Sequence, residues 1–417
     1  MRRLAIYTVG CAIALAGCSR AVGPPPVPTA FSPQAFGSRI SPFARPDASG
    51  FRLLFSFDKA NGGGITPVTN LIGVKGMLYG TTLAGGGSSA CTKGCGTVFS
   101  MTTGGVQKPL YNFGSYSGDG ASPTQQLAEI NGTFYGTTEG GGTSTVCPHG
   151  CGAVFSLTAA GKESVIYSFG SYKDDGLTPR SGLIAIHGTL YGTTSAGGGA
   201  DGGTLFTITP SGHETVIYSF GSYKGDGLKP AAELTEVGNT LYGTTLKGGQ
   251  YGKGAAFRAQ LSGKEVTIHS FGHGIDGAYP RSRLIFVQQA FYGTTIEGGK
   301  YKRGTLFVLS PNGIEGLLYQ FGKGKDAAEP EAGLTAHIGT FITFYGTTAK
   351  GGAAGKGTVF SVNGVGSEAV LHSFAGGDGS EPFSHLYLDK KTLYGTTAYG
   401  GTGSCTGGCG TAFAYQL

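Results

Sequence analysis

The sequence predicts an all-β protein, a seven-bladed β-propeller of four-stranded blades that spans residues 51–417. The first observation is a tetrad, Tyr-Gly-Thr-Thr, that recurs seven times. Its copies begin at Tyr79, Tyr135, Tyr191, Tyr242, Tyr292, Tyr345 and Tyr394. The second is a Gly-x-x-Phe segment after each tetrad, with its phenylalanine at Phe99, Phe155, Phe206, Phe257, Phe307, Phe360 and Phe413. A β-rich unit repeated about every fifty residues is typical of propeller blades.

The chain begins with a predicted lipoprotein signal peptide, residues 1–17. Two arginines precede an apolar run that is too short to span a bilayer but suits the core of a signal peptide. The run ends in Leu15-Ala16-Gly17-Cys18, which resembles a bacterial lipobox, so Cys18 is the predicted lipidation site. Ordinary signal cleavage with an incidental Cys18 is the alternative.

A tether is predicted for residues 18–50, which are rich in Pro, Ala and Ser and show no apolar periodicity. Acyl chains contribute about 0.8 kcal/mol per buried methylene, so a lipidated Cys18 would hold the protein on a membrane. Ser19 follows the cysteine, which by resemblance to other lipoproteins favours the outer membrane. We therefore expect an exported, lipid-anchored protein of the outer membrane or cell surface.

Each repeat offers four short strands rich in β-branched and aromatic residues, separated by Gly, Pro and Asp turns. The first strand is a short apolar segment, and the second contains the tetrad. The third is the Gly-x-x-Phe strand, and the fourth is a segment of the type Leu-Tyr-x-Phe-Gly. We interpret the recurring Tyr and Phe as packing between blades rather than as ligand-stacking surfaces.

The two ends of the repeat region predict a closed ring. Residues 51–57 match the fourth strand but precede the first tetrad, whereas the last repeat ends after its third strand. Pairing of the N-terminal strand with the C-terminal blade would complete that blade and remove an open sheet edge. An open solenoid would instead need polar caps.

Composition and charge argue against a nucleic-acid-binding protein. The chain has 80 glycines, 13% charged residues and a formal net charge of +6, of which Arg2 and Arg3 belong to the predicted signal peptide. The remaining charge is spread over a long chain, so a nucleic-acid partner is not expected. No cofactor or metal is predicted, and a monomer is expected.

The repeat pattern, Leu-Tyr-Gly-Thr-Thr, then Gly-Gly, Gly-Thr-Val-Phe-Ser and Leu-Tyr-x-Phe-Gly, resembles the gloeo/verruco or GloVer tandem repeat over about residues 51–417. The resemblance implies an exported bacterial protein and no established activity. A weaker likeness to kelch propellers lacks the tryptophan of the kelch unit, because the chain has no Trp.

Three long loops are the candidate binding surface. The segment between the tetrad and the Gly-x-x-Phe strand has 13, 13 and 12 residues in units one, two and seven, but 8 in the others. A closed ring makes these units neighbours, and long loops on one rim commonly carry function.

The cysteines of these three loops are Cys91 and Cys95, Cys147 and Cys151, and Cys405 and Cys409. Outside the cytoplasm one disulfide per loop is expected; zinc is the alternative, although only His149 lies near.

An aspartate recurs four residues before a proline in six of the seven units, at Asp119, Asp175, Asp226, Asp276, Asp326 and Asp378. Tight turns favour Asp followed by Gly, whereas a calcium site would need several oxygens converging on one ion. We therefore expect each of these aspartates to lie in a tight turn.

No catalytic motif is found, and His269 and His372 replace a Tyr of the fourth strand.

These observations predict a non-enzymatic binding or scaffold module for a polysaccharide or protein ligand, with the ligand on the rim formed by units seven, one and two. The alternative is a glycan-active hydrolase or lyase with an active site assembled from non-repeated residues at the central mouth. Acidic or His side chains converging at that mouth would favour the enzyme.

Overall fold

The computed structural model describes residues 50–60, 63–123 and 125–417. The predicted signal peptide, the lipidation site Cys18 and the tether up to residue 49 lie outside the described residues. The described residues belong to one compact unit. The described part of the chain contains strands and turns but no α-helix. None of these residues forms a helix long and apolar enough to cross a membrane.

Seven antiparallel sheets confirm the predicted fold class, and each contributes one four-stranded blade. The first strands are Ile72–Val74, Ala128–Ile130, Ile184–Ile186, Thr235–Val237, Ile285–Val287, Thr335–Ile338 and Tyr387–Asp389. The second strands are Met77–Thr82, Thr133–Gly141, Thr189–Thr194, Thr240–Gly248, Ala290–Gly298, Ile342–Thr348 and Thr392–Thr397. The third strands are Thr97–Thr102, Ala153–Thr158, Thr204–Ile208, Ala255–Gln260, Thr305–Leu309, Thr358–Asn363 and Thr411–Gln416. The fourth strands are Gln107–Asn112, Glu163–Ser168, Glu214–Ser219, Glu265–Ser270, Glu315–Gln320, Glu368–Ser373 and Phe51–Ser56.

Short additional strands tie blades one to six to the segments that enter them, and a single bridge between Ser380 and Tyr399 does so in blade seven. Three of these segments pair with the extended end of a second strand, at Gly120–Pro123, Gly227–Pro230 and Gly277–Pro280. Elsewhere they form two-stranded sheets: Gly64–Ile65 with Ala84–Gly85, Gly176–Leu177 with Ala196–Gly197, and Ala327–Ala328 with Lys350–Gly351. First strands contact one another between blades two and three, four and five, five and six, and seven and one, so the first strands surround the axis of the ring.

The tetrad is explained by close packing inside and between blades. A Cβ on Gly243 would lie 2.6 Å from the ring of Phe257 on the third strand, so only glycine fits beneath that phenylalanine. The tyrosine before this glycine, Tyr242, packs on Phe291 of the next blade, with ring centroids 4.2 Å apart. The predicted packing role of the recurring Tyr and Phe therefore matches the structure.

The two threonines of the tetrad satisfy buried polar groups. In five units the first donates to the backbone of the segment entering the next blade, as Thr137 Oγ1 does to the Ser181 carbonyl at 2.9 Å. In five units the second pairs with a threonine that opens the third strand, as Thr194 does with Thr204 at 2.8 Å. Buried hydroxyls are costly unless hydrogen-bonded, so this sequence suits a tightly packed blade.

A ring of phenylalanine pairs joins all seven blades. Each fourth-strand phenylalanine meets the third-strand phenylalanine of the next blade with centroids 4.9 to 5.2 Å apart. The pairs are Phe113 with Phe155, Phe169 with Phe206, Phe220 with Phe257, Phe271 with Phe307, Phe321 with Phe360, Phe374 with Phe413 and Phe57 with Phe99.

The first and last strands of the propeller lie in the same blade. Phe51–Ser56 pairs antiparallel with Thr411–Gln416, in a register that places Phe51 opposite Tyr415 and Ser56 opposite Thr411. Phe57 then extends the phenylalanine ring from blade seven to blade one. The N-terminal strand thus takes the fourth-strand position that the sequence assigns to it.

Candidate functional site

Seven residues at one repeat position, five of which carry side chains, surround the axis of the ring. In every unit the residue before a recurring leucine opens the segment that leads into the first strand. That leucine is buried in the blade core, so the alternation of an extended chain turns the preceding residue toward the axis. We call this set the axial ring: Asn70, Gln126, Gly182, Glu233, Arg283, Gly333 and His385.

Two cavities meet at the axial ring. The mouth cavity has a volume of about 430 Å³ and is bordered by Asn70, Glu233, Arg283 and His385. A second cavity of about 510 Å³ continues along the first strands and shares Arg283 and His385 with the mouth. A ligand in the mouth would therefore meet the charged members of the axial ring directly.

Glu233 is the most deeply buried charged group of this site. Its side chain is 3% exposed, and its Oε2 lies 3.7 Å from Nη1 of Arg283. Neither carboxylate oxygen, nor Nε of Arg283, has a partner within 3.5 Å, although Asn70 and the Gln126 backbone lie near enough to favour the ionised carboxylate. Burial raises the pKa of Glu233, and the charge of Arg283 opposes that effect. Native proteins rarely leave such groups unsatisfied, so the pair is suited to receive a ligand.

His385 lies on the same wall and joins the last blade to the first. Its backbone N–H donates to Oδ1 of Asn70 at 2.8 Å. Burial, with a smaller effect of Arg283, lowers the pKa of His385 to about 3. The imidazole is therefore neutral at physiological pH. Burial thus lowers the pKa of His385 and raises the pKa of Glu233 in the same site.

Two further Arg–Glu pairs border the mouth above the axial ring. Arg281 Nη1 lies 2.7 Å from Glu331 Oε2, and Arg180 Nε donates to Glu139 Oε1 at 2.9 Å. Burial raises the pKa of Glu331, and Arg281 opposes it. Three arginines thus face one polar cavity, each guanidinium keeping donors beyond those used in its ion pair.

The cysteines of the three long loops are paired within their own loops. Cys91 is bonded to Cys95, Cys147 to Cys151 and Cys405 to Cys409. With each sulfur in a disulfide, these loops offer no thiolate for the zinc alternative. The second cysteine of each loop is buried, and the loops belong to blades one, two and seven, which are neighbours in the ring.

The recurring aspartate occupies a turn, as its sequence context indicates. Asp119 accepts hydrogen bonds from the backbone N–H of Gly120 and Ser115 and from the Tyr111 hydroxyl, at 2.7, 2.9 and 2.7 Å. Sequence reasoning did not identify its neighbour, Glu163, which begins the fourth strand of the next blade. Burial, with the charge of Asp119, raises the pKa of Glu163 to about 7.

Sequence reasoning also missed the axial ring, although a signal for it exists. Each unit contains a proline followed four residues later by the recurring leucine, and the residue before that leucine differs in chemistry between units. A position that varies from Gly to Glu, Arg and His inside a regular repeat is not needed for the fold. Such a position is a candidate for function.

The family model of the Gloeobacter/Verrucomicrobia repeat matches residues 43–185 and 145–343. The chain belongs to this family. The match bears out the resemblance seen in the repeat motifs, and it covers most of the propeller. Comparison with curated proteins gives no match.

Solved structures similar to this family member include two lyases. Virginiamycin B lyase from Staphylococcus aureus has a TM-score of 0.58 and 13% sequence identity, covering 88% of this chain and 100% of that one. A streptogramin B lyase has a TM-score of 0.57 and 13% identity, covering 88% and 98%. At this identity the likeness concerns the fold alone.

Proposed function

We propose that the protein is a lipid-anchored protein of the bacterial envelope, held by Cys18, that binds a carboxylated saccharide in its central mouth. The observation that carries the proposal is the Glu233–Arg283 pair, which faces a cavity of about 430 Å³. Glu233 is buried and Arg283 half-buried, and neither carboxylate oxygen nor Nε of Arg283 has a partner within hydrogen-bond distance. Arginine forks bind carboxylates in a bidentate manner. The remaining amides and carboxylates around the mouth suit sugar hydroxyls.

The charge balance of the mouth supports an anionic ligand. Three arginines face three glutamates there, and burial raises the pKa of both Glu233 and Glu331. Burial thus works against the negative charge of these two glutamates, whereas the guanidiniums of the three arginines stay charged. Phe383 and Tyr399 border the same cavity and could stack on the apolar face of a sugar ring.

Binding can be tested with oligogalacturonate as the acidic probe and a maltooligosaccharide as the neutral one. We expect the full-length protein to retain the acidic probe, and Arg283→Ala to weaken its affinity at least tenfold. The matched control is Arg258→Ala, because Arg258 is exposed on a third strand and does not border the mouth. Equal retention of both probes, or unchanged affinity of Arg283→Ala, would contradict the proposal.

A glycan-active enzyme is the second candidate, favoured by the opposite pKa shifts of Glu233 and His385. A carboxyl group whose pKa is raised and an imidazole whose pKa is lowered are the kind of pair that can serve as general acid and general base. This convergence is the feature that sequence analysis set as the mark of an enzyme. Product release that is abolished by Glu233→Gln or His385→Ala, but not by Arg258→Ala, would favour catalysis over binding alone.

The rim of blades seven, one and two supports a second contact surface for a polysaccharide or protein. Its three loops are each closed by a disulfide, which limits the conformational freedom that binding would otherwise restrict. Because this rim is separate from the axial ring in sequence, variants of the two surfaces can be compared directly.

A further inference from the structure

An Asp–Glu pair recurs between the outer strands of neighbouring blades. The aspartate follows the fourth strand of one blade, and the glutamate begins the fourth strand of the next. In the first three such interfaces two tyrosines hold the pair. Between blades two and three, Tyr167 donates to Asp175 at 2.7 Å and Tyr172 donates to Glu214 at 2.8 Å.

The interface between blades four and five departs from this pattern at both tyrosine positions. His269 stands where the other interfaces have the inner tyrosine, and His273 stands at the outer one. The carboxyl pair itself, Asp276 and Glu315, is retained. Two hydroxyls that donate hydrogen bonds to carboxylates are thus replaced by two imidazoles, and imidazole is the commonest side-chain ligand of metals.

We propose that His269, Asp276 and Glu315 bind a divalent transition-metal ion of the Zn²⁺ type. Their ligand atoms all lie within 4.8 Å of one another, and Nε2 of His269 is 3.2 Å from Oδ2 of Asp276. Ligands bonded at about 2.0–2.2 Å to one ion lie up to about 4.4 Å apart, so little movement is required. Imidazole with two carboxylates selects transition metals over Ca²⁺ and Mg²⁺.

The surroundings of the three groups also fit a ligand. A cavity of about 430 Å³ opens on all three and is bordered by His273, which could supply a fourth ligand. Oε1 of Glu315 is buried and has no hydrogen-bond partner. The His269 ring packs edge-on against Phe271, with centroids 4.6 Å apart, which fixes its orientation toward Asp276.

The repeat supplies a matched control for this site. In the double variant His269→Tyr/His273→Tyr the interface regains the tyrosine pair found in the first three interfaces, so this variant is expected to fold. Glu315→Gln removes one ligand while keeping the side-chain shape. Neither change touches the axial ring, so the result is independent of saccharide binding.

The test is calorimetric titration of EDTA-treated full-length protein with Zn²⁺, with Co²⁺ absorption as a spectroscopic probe. We expect one ion per chain, at least tenfold weaker binding in Glu315→Gln, and no binding at this site in the double variant. The melting temperature of the metal-free double variant should stay within a few degrees of the parent. Equal binding by parent and double variant, no binding by the parent, or binding of Ca²⁺ alone would overturn the assignment.

Discussion

At the scale of single residues, glycines set how closely charged groups can approach at the axis. A Cβ on Gly182 would lie 2.4 Å from Oε1 of Glu233, so glycine here allows the carboxylate to stay against its neighbour. Gly333 occupies the same repeat position, yet a Cβ there would meet its nearest atom, in His385, at an ordinary 3.6 Å. Glycine is therefore required by close packing at position 182 but not at position 333.

We predict that Gly182→Ala displaces Glu233 and weakens binding of oligogalacturonate several-fold, whereas Gly333→Ala leaves it nearly unchanged. The reason is steric, since the added methyl group overlaps the carboxylate in the first variant and fits in the second. Titration of both variants under the same conditions measures the difference. Equal effects of the two changes would show that Glu233 does not need this contact.

At the scale of elements, the outer strands of neighbouring blades share carboxyl pairs in which the glutamate is half-buried. Glu214 faces Asp175, Tyr167 and Tyr172, and burial is the main reason that its pKa is raised to about 7. Glu163 and Glu265 have their pKa raised to about 7, and Glu368 to about 8, for the same reason. The ordinary value for these groups is 4.5.

A raised carboxyl pKa means that the folded state holds protons that the unfolded state releases. Stabilisation is then complete below about pH 4.5 and is lost as the pH rises through about 7 to 8. We predict that the melting temperature falls between pH 5 and pH 8 because the glutamates of these interfaces ionise, and that Glu214→Gln makes this fall shallower. Thermal unfolding at several pH values measures it. The control is Glu236→Gln, at an exposed position, whose melting temperature should depend on pH as that of the parent does. The same pH dependence in Glu214→Gln as in the parent would contradict this prediction.

The elements themselves were predictable because each has a local sequence signal. Period-two apolar residues, turn residues and the recurring Tyr, Gly and Phe locate all four strands of a blade. The Glu–Asp pairs were not predictable, because they join residues of adjacent units across the outer strands. Their partners, such as Glu214 and Asp175, become neighbours only when the blades are placed side by side.

At the scale of the whole molecule, ring closure follows from the sequence, but the site does not. The unpaired strand at residues 51–57 and the missing fourth strand of the last unit specify how the ring closes. The axial ring draws on all seven units, so no local motif contains it. Glu233, Arg283 and His385 come from three different blades and meet because the first strands surround one axis.

The most direct test of the account is backbone hydrogen exchange of the full-length protein with and without oligogalacturonate. We predict slower exchange in the segments that carry the axial ring, residues 231–236, 281–287 and 383–389, and loss of this protection in Arg283→Ala. Protection confined to the disulfide loops, residues 88–95, 144–151 and 402–409, would place the ligand on the rim and contradict a central binding site.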